Sequence, residues 1–144
     1  MNIGDAGLAL IKEFEKCRLR AYLPTPDDKL TVGWGHTGND VTADTVWTQE
    51  EADAHFLEDI AWVEKCVNGA ITLPLTQNEF DACCSLCFNI GCGAFKGSTL
   101  AKKLNTSDLV GAEAEFKRWN RQAGKELAGL TRRRAQEAVL FETA

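Results

Sequence analysis

The sequence predicts an α+β fold that is mainly helical, with one small β-hairpin sheet near the N-terminus. Three observations support this prediction. The 144 residues are 44% hydrophobic and 26% charged, which is typical of one globular domain. Two Thr-x-x-Glu capping boxes begin long apolar-periodic segments, and one period-two stretch precedes them. We expect a single domain over residues 1–144, with an N-terminal lobe of about 1–60, a connecting helix of about 49–68 and a C-terminal helical lobe of about 69–144.

The first predicted element is a short amphipathic helix. Asp5 is a candidate N-cap, because a carboxylate there can accept hydrogen bonds from the free N–H groups of the first turn. Leu8, Ile11 and Phe14 then recur at helical spacing and form one apolar stripe. We expect the helix to end near Cys17.

A β-hairpin is predicted directly after this helix. Apolar and polar residues alternate over Arg18–Leu23, and Leu30–Trp34 forms a second extended stretch. The segment between them, Pro24–Lys29, contains two prolines and two aspartates, a composition typical of turns. Three glycines at 33, 35 and 38 then place His36 and Thr37 on a backbone that other groups can approach closely.

Helices are predicted for the rest of the chain. In a capping box, the Thr and Glu side chains each bond the other residue's backbone N–H. The Thr48–Glu51 box begins a helix that we expect to reach about Asn68. The Thr76–Glu79 box begins an apolar helix that the glycine at 91 ends. Three further helices are expected after candidate caps at Ser98, Ser107 and Thr131.

Charge is distributed unevenly along the chain. The formal net charge of −5 argues against a nucleic-acid-binding protein with a basic surface. The stretch Lys117–Arg134 nevertheless contains seven basic residues and one acid, so it carries +6 and the rest of the chain −11. This basic stretch can meet a polyanion, or its charges can complement helix dipoles, and the sequence leaves both interpretations open.

The expected location of the protein bears on its six cysteines. No apolar run approaches the roughly 20 residues of a membrane span, and the first residues lack the basic-then-apolar pattern of a signal peptide. We therefore expect a cytoplasmic protein without stable membrane association, in which thiols stay reduced. Four cysteines lie in an apolar helical stretch, where we expect them to pack as small hydrophobic residues. These are Cys83, Cys84, Cys87 and Cys92.

Glu15 is the most unusual residue of the first helix. It follows Ile11 by four residues and Leu8 by seven, so it lies on the apolar stripe. A carboxyl group against an apolar surface favours its protonated form, which suits a general acid. Such an acid opposite a residue that holds water is a glycosidase arrangement. Alternatively, the helix end frays and Glu15 turns to solvent, or Glu15 only pairs with an arginine.

Short motifs occur in a fixed order along nearly the whole chain. They are Glu15–Tyr22, Thr31–Gly38, Gln77–Ala82, Phe88–Gly91, Gly93–Phe95, Gly97–Leu100 and Arg132–Glu137. Together these motifs resemble the phage-type lysozymes, the T4 and P22 lysozyme group of endolysins. The resemblance implies a lysozyme-like fold. It also implies hydrolysis of the β-1,4 bond between N-acetylmuramic acid and N-acetylglucosamine in bacterial peptidoglycan.

The resemblance also implies catalytic residues. Glu15 stands at the family's general-acid position and Thr31 at its threonine position. The family's aspartate or cysteine usually lies nine residues after the glutamate and six before the threonine. Those two positions hold a proline and Thr25 here, because the hairpin carries one extra residue. We predict that Asp28 supplies the missing carboxylate, and Asp27 or the Thr25 hydroxyl are the alternatives.

The same resemblance implies saccharide-contacting residues. Thr37, Phe88 and Ser98 stand at substrate-binding positions, and Asn89 can hydrogen-bond an acetamido group. For Phe88 the alternative role is a core aromatic residue, and for Ser98 it is a helix cap. Arg134 resembles the arginine that pairs with the catalytic glutamate, so we expect a Glu15–Arg134 ion pair.

Neither histidine is expected to be catalytic. His36 resembles a structural residue of the family that bonds nearby acids or backbone groups. His55 is expected at the surface or half-buried in the long helix. Neither belongs to a metal-ligand pattern, and no metal or organic cofactor is implied.

The expected biological role is lysis of a bacterial host. We expect a monomeric endolysin that waits in the host cytoplasm, needs a holin to reach the wall, and then hydrolyses peptidoglycan. The anionic wall is a candidate partner for the basic stretch. Three alternatives remain open: a chitin- or chitosan-type glycosidase, a catalytically impaired peptidoglycan-binding protein, and a structural protein of a phage particle.

Overall fold

The computed structural model describes all 144 residues and shows a mainly helical chain with two small antiparallel strand pairs. The predicted α+β fold class is therefore confirmed. In chain order the elements are α1 (Asp5–Glu15), β1 (Arg18–Tyr22), β2 (Thr31–Gly33), α2 (Gln49–Ala70), α3 (Gln77–Ile90), α4 (Cys92–Lys96), α5 (Thr99–Asn105), α6 (Leu109–Glu115), a 3-10 turn (Phe116–Arg118), β3 (Arg121–Gln122), β4 (Lys125–Glu126) and α7 (Ala128–Glu142).

The predicted N-terminal hairpin is present. Strands β1 and β2 pair antiparallel, with Tyr22 opposite Thr31 and an irregular register along the pair. The outer edge of β1 is bonded as well, because Ala21 N–H donates to the Thr45 carbonyl and Trp47 N–H donates to the Leu19 carbonyl. The loop before α2 thus fixes the hairpin beside the end of α1.

Both predicted capping boxes are present. The Thr48 hydroxyl accepts from Glu51 N–H and the Thr76 hydroxyl accepts from Glu79 N–H, and each glutamate bonds back to the threonine backbone. Helices α2 and α3 begin directly after them. Ser98 also caps a helix as predicted, because its hydroxyl accepts from the backbone N–H at position 101 at the start of α5.

Three other predicted caps are wrong. The N-cap of α1 is Gly4, and Asp5 is instead the first helical residue, where its charge still complements the helix dipole. Ser107 adopts a positive φ of 63°, and Asp108 caps α6 through a side-chain bond to the N–H at position 111. Thr131 lies inside α7, which begins directly after β4 without a capping side chain.

Helix α3 forms the centre of the molecule. It packs against α1, α2, α4 and α7, and every residue from Phe80 to Cys87 is buried. Cys83, Cys84 and Cys87 are free thiols within this core, so the prediction that they pack as small hydrophobic residues is confirmed. A smaller apolar cluster of Ile11, Phe56 and Ile60 joins α1 to α2.

A disulfide joins Cys66 near the end of α2 to Cys92 at the start of α4. The expectation that all six cysteines stay reduced is therefore wrong for this pair. The predicted core packing is also wrong for Cys92, because it is exposed at the start of α4. The two residues are 26 positions apart, and only the packing of α2 against α4 brings their Cα atoms to 5.9 Å. None of the helices combines the length and the apolar character that crossing a bilayer requires.

Candidate active site

A cleft of about 450 Å³ runs between the hairpin and the facing ends of α3 and α7. One wall consists of the end of α1, the hairpin and the loop after β2. The opposite wall consists of the last residues of α3 and the segment 127–133 at the start of α7. Five of the six site residues predicted from the sequence line this cleft together. They are Glu15, Asp28, Thr31, Thr37 and Phe88.

Glu15 is the last residue of α1, and its side chain is 17% exposed. The helix ends there because Lys16 takes a positive φ of 52°, which turns the chain into β1. The Oε2 atom of Glu15 accepts a hydrogen bond of 2.6 Å from Nη1 of Arg133. The other oxygen, Oε1, makes no hydrogen bond within the protein, so it is available to a group bound in the cleft.

Gly35 holds the other side of the same carboxyl group. Its backbone has a φ of +76°, and an added Cβ atom would overlap the Glu15 carboxylate. Only glycine therefore allows both this backbone conformation and the close approach of Glu15. The carboxyl group is fixed between the Gly35 backbone and the Arg133 guanidinium.

The predicted Glu15–Arg134 ion pair is wrong, because the neighbouring arginine makes it. Arg133 bonds Glu15, and it also donates to the Ser85 carbonyl over 3.1 Å and to Glu137 Oε2 over 3.3 Å. Arg134 points elsewhere and donates to Asn89 Oδ1 and to Glu137 Oε2. The sequence correctly predicted that an arginine of the last helix bonds Glu15. It did not show which of the two adjacent arginines faces Glu15.

The two arginines form a buried network whose charges balance. Arg133 and Arg134 supply two positive charges, and Glu137 and Glu15 supply two negative charges. Burial lowers the pKa of Arg134 below its usual value, and the adjacent Glu137 carboxylate opposes that change. A buried ion is stable only with hydrogen-bonded partners, and Glu137 bonds both arginines, so its removal leaves Arg134 without a carboxylate partner. Arg133 keeps Glu137 as a partner when Glu15 is replaced.

Thr31 and Asp28 line the cleft from the hairpin. The buried Thr31 hydroxyl donates to the Lys29 carbonyl over 2.9 Å, which leaves its lone pairs free to accept a bond. Asp28 is exposed, and its Oδ2 accepts a long bond of 3.4 Å from the Thr25 hydroxyl. Of the three candidates for the missing carboxylate role, Asp28 lines the cleft, whereas Asp27 and Thr25 do not.

Comparisons with known proteins show the family of this chain. Residues 12–137 match the family model described as Phage lysozyme. The chain belongs to the phage lysozyme family. It is 49% identical to the endolysin of Acyrthosiphon pisum secondary endosymbiont phage 1 over the full length of both chains, and 39% identical to the Salmonella phage P22 endolysin over 98% of both. It also superimposes on the muramidase domain of SpmX from Asticaccaulis excentricus with a TM-score of 0.87 and 38% identity, covering 99% of both chains.

The lengths of phage lysozyme family members differ. Two Bacillus phage endolysins, of PZA and B103, match 99% of this chain at 43% and 41% identity, but this chain spans only 56% and 55% of their lengths. The match to these two relatives covers the region that forms the lysozyme-like fold and the cleft in this chain.

The saccharide-binding predictions fall into two groups. Thr37, Phe88 and Asn89 line the cleft of this family member, and the Phe88 ring also packs on Phe56 with 5.8 Å between ring centroids. Ser98 does not line the cleft. It is 4% exposed and its hydroxyl donates to the Phe95 carbonyl while it caps α5, so its position supports the alternative role as a helix cap.

His36 holds the loop beside the cleft in place, as predicted for a structural histidine. Its Nδ1 bonds Asp59 over 2.7 Å, and its Nε2 bonds Asp40 over 3.0 Å. Burial lowers the pKa of His36, but the bonds and charges of Asp59 and Asp40 outweigh burial and raise the pKa above its usual 6.5. His55 is half-buried and stacks on Trp47, which agrees with its predicted role.

One group of side chains has ligand atoms close enough to hold a metal ion. The ligand atoms of His36, Asp40 and His55 lie within 4.8 Å of one another. Both ring nitrogens of His36 are already bonded to carboxylates, so ion pairing alone explains this cluster. The sequence did not indicate the group, because His55 belongs to α2 and is distant in sequence from the other two residues.

Sequence reasoning missed two residues that line the cleft, and a third that bonds the hairpin turn. Arg133 lines the cleft and bonds Glu15, whereas the sequence analysis assigned that bond to Arg134. Tyr22 lines the cleft, and its pKa is raised by burial first and then by the Glu15 and Asp28 carboxylates, against the opposing charge of Arg18. Gln122 donates to the Thr25 hydroxyl over 3.1 Å and so joins the hairpin turn to β3. Strand alternation, which puts Tyr22 and Arg18 on one face, was the available signal for the tyrosine.

Proposed function

We propose that this protein is an endolysin with lysozyme (muramidase) activity, which hydrolyses the β-1,4 bond between N-acetylmuramic acid and N-acetylglucosamine in peptidoglycan. The observation that carries the proposal is the Glu15 carboxyl group, which is fixed by Arg133 and Gly35 with one oxygen free in the cleft. Membership of the phage lysozyme family supports the substrate class, because full-length relatives are named endolysins and a structural neighbour is named a muramidase domain.

Glu15 acts as the general acid in this proposal. Its protonated carboxyl group gives its proton to the oxygen that bridges the two sugars, and the bond from that oxygen to the anomeric carbon breaks. The carboxylate that results keeps the hydrogen bond from Arg133, whose positive charge stabilises it.

Asp28 and Thr31 act on the water in this proposal. A water molecule attacks the anomeric carbon, its proton passes to the Asp28 carboxylate, and the Thr31 hydroxyl accepts a bond that orients it. Carboxyl groups about 6.5 to 9.5 Å apart leave room for that water and give an inverted product, whereas about 5 to 5.5 Å gives retention. The anomeric configuration of the product therefore reports which arrangement the bound enzyme uses.

The first test is replacement of the acid. Glu15→Gln removes the proton donor while it keeps the size and most of the bonding capacity of the side chain. We expect it to lower the rate of turbidity clearing of outer-membrane-permeabilised Gram-negative cells by at least about 100-fold, the lower end for loss of a general acid. Glu13→Gln is the matched control, because Glu13 is an exposed residue of the same helix, and it should clear cells at the wild-type rate.

The outcomes separate the candidate functions. Clearing by Glu15→Gln at the wild-type rate would reject Glu15 as the acid. If the wild-type protein sediments with peptidoglycan but releases no reducing ends, it is a catalytically impaired peptidoglycan-binding protein. Release of reducing ends from chitin but not from peptidoglycan would identify the protein as a chitin-type glycosidase.

Lysis from the host cytoplasm, as a monomer released by a holin, is the biological setting that we propose. Its support is the resemblance to phage endolysins. Induction of the protein in Escherichia coli with and without a holin tests this setting. We expect lysis only with the holin, and lysis without it would show that the protein reaches the wall by another route.

A further inference from the structure

Two histidines and an aspartate converge beside the cleft, where the loop after β2 meets α2. The ligand atoms of His36, Asp40 and His55 lie within 4.8 Å of one another. His36 and Asp40 belong to the loop, and His55 belongs to α2. None of the three lines the cleft, so the proposed hydrolysis does not use them.

The distances within this cluster suit a small divalent cation. Nitrogen and oxygen atoms that bind zinc at about 2.0 to 2.2 Å with tetrahedral angles lie about 3.3 to 3.6 Å from each other. Nε2 of His36 already lies 3.0 Å from Oδ2 of Asp40. The Asp40 side chain is 53% exposed and the His55 side chain is 32% exposed. Shifts of about 1 Å in these side chains therefore give all three ligand atoms the spacing that zinc requires.

Two neighbouring side chains hold the histidine rings in place. Asp59 bonds Nδ1 of His36 over 2.7 Å, while Nε2 faces Asp40. A carboxylate on the other ring nitrogen is the usual partner of a metal-binding histidine, because it fixes the ring and makes the ligating nitrogen more basic. Trp47 stacks on His55 with 4.0 Å between ring centroids, and it also packs against His36 at 5.2 Å. Both rings are therefore oriented before an ion binds.

His55 has a ring nitrogen available to a metal ion. Its nearest charged group is Glu58 of the same helix, and the 3.9 Å between Nδ1 and Oε2 is too long for a hydrogen bond. A neutral imidazole carries one nitrogen with a free lone pair, which is the form that binds metals. The ion pairs of His36 account for the positions of the loop residues, and they leave His55 free to complete a ligand set.

We propose that His36, Asp40 and His55 bind a zinc ion, with water as the fourth ligand. Two imidazole nitrogens and one carboxylate suit zinc, whereas Mg²⁺ and Ca²⁺ prefer oxygen ligands alone. The ion links α2 to the loop whose Gly35 and Thr37 line the cleft. Because a ligand that binds only the folded state stabilises it, zinc should stabilise this protein.

The test is a calorimetric titration with zinc chloride, after bound metal has been removed with a chelator and the chelator removed by dialysis. The parent is the Cys17→Ser protein, because Cys17 is a half-exposed thiol that can bind zinc itself. We expect the parent to bind one ion per chain. His55→Gln and Asp40→Asn should each weaken binding by at least about tenfold, since loss of a residue that only supports a ligand already costs about 10- to 100-fold.

Glu58→Gln is the matched control. Glu58 is an exposed carboxylate within one turn of His55 but is not one of the three ligands, so its replacement should leave the affinity unchanged. Asp40 is exposed, so Asp40→Asn still tests the site if His55→Gln does not fold. Zinc should also raise the midpoint of thermal unfolding of the parent more than that of Asp40→Asn.

Three results would reject the zinc site. The parent takes up no zinc, or the two ligand variants bind zinc as the parent does, or Glu58→Gln loses as much affinity as they do. The titration uses no peptidoglycan, so its outcome is independent of the proposed function.

Discussion

Single side chains decide the chemistry of the cleft. Glu15 has one oxygen bonded to Arg133 and the other free, and the absence of a Cβ atom at Gly35 lets the carboxyl group lie against the backbone. The sequence indicated Glu15 from its place on the apolar stripe of α1. It did not indicate Arg133, because adjacent arginines on a helix differ by about 100° in direction and only the packed helix shows which one faces Glu15.

Asp28 is the residue whose role is most specific to this hairpin. If it takes the proton of the attacking water, Asp28→Asn should lower the initial rate of wall hydrolysis by about 100-fold or more, because the amide cannot accept that proton. Asp27→Asn and Thr25→Ala should stay within about twofold of the wild-type rate, since neither residue lines the cleft. A large loss in either control with a normal rate for Asp28→Asn would move the role to that residue.

The ion pairs of His36 should make the free energy of unfolding depend on pH. Its pKa is raised in the folded protein by Asp59 and Asp40, which outweigh the lowering by burial. The stabilisation from the charged histidine is therefore fully present below its unfolded pKa of about 6.5, and it is lost as the pH rises through the higher folded pKa. Asp59→Asn should destabilise the protein more at pH 5.5 than at pH 9, measured by urea unfolding in the presence of a chelator.

An exposed carboxylate gives the control for that pH dependence. Asp44 is exposed and does not bond His36. The effect of Asp44→Asn on the free energy of unfolding should therefore be small and equal at the two pH values. An Asp59→Asn effect that is the same at both pH values would contradict the assignment.

At the scale of elements, the sequence predicted the start of a helix where hydrogen bonds between neighbouring residues cap that helix. The capping boxes at Thr48 and Thr76 lie entirely within one turn, so the start of α2 and of α3 could be read from four residues each. The start of α7 could not, because Leu127 N–H donates to the Asn120 carbonyl and the chain enters the helix from a strand pair. That pair, β3 and β4, turns through positive φ angles at 123 and 124 and has no alternating apolar pattern.

The disulfide between α2 and α4 makes a prediction about these elements. Closing a loop of 26 residues stabilises a protein by about 3 to 4 kcal/mol in the chain-entropy model. Cys92→Ser should therefore lower the free energy of unfolding by about that amount, measured with urea without reductant. Cys17→Ser is the control and should have little effect, because Cys17 is a half-exposed free thiol. Equal stability of Cys92→Ser and the wild type would show that the bond does not form in solution.

At the scale of the whole molecule, the sequence predicted features that depend on the order of motifs along the chain. It did not predict features that depend on contacts between distant residues. The fold class and the pairing of Glu15 with Thr31 follow from motifs in chain order, and both residues line the cleft. Asp28 lies outside those motifs, was predicted as a replacement for the missing carboxylate, and also lines the cleft. The basic stretch is different, because Arg133 and Arg134 are buried in an ion network and only the other five basic residues are exposed. A count of charges along the chain cannot show which of them face solvent.

The stereochemistry and identity of the product test the central claim most directly. Purified peptidoglycan is digested with the wild type, Glu15→Gln and Glu13→Gln, and the new reducing ends are identified by mass spectrometry and their anomeric form by NMR. We predict reducing ends on N-acetylmuramic acid from the wild type and Glu13→Gln, and none above background from Glu15→Gln. Reducing ends on N-acetylglucosamine, or equal release by Glu15→Gln, would contradict the account.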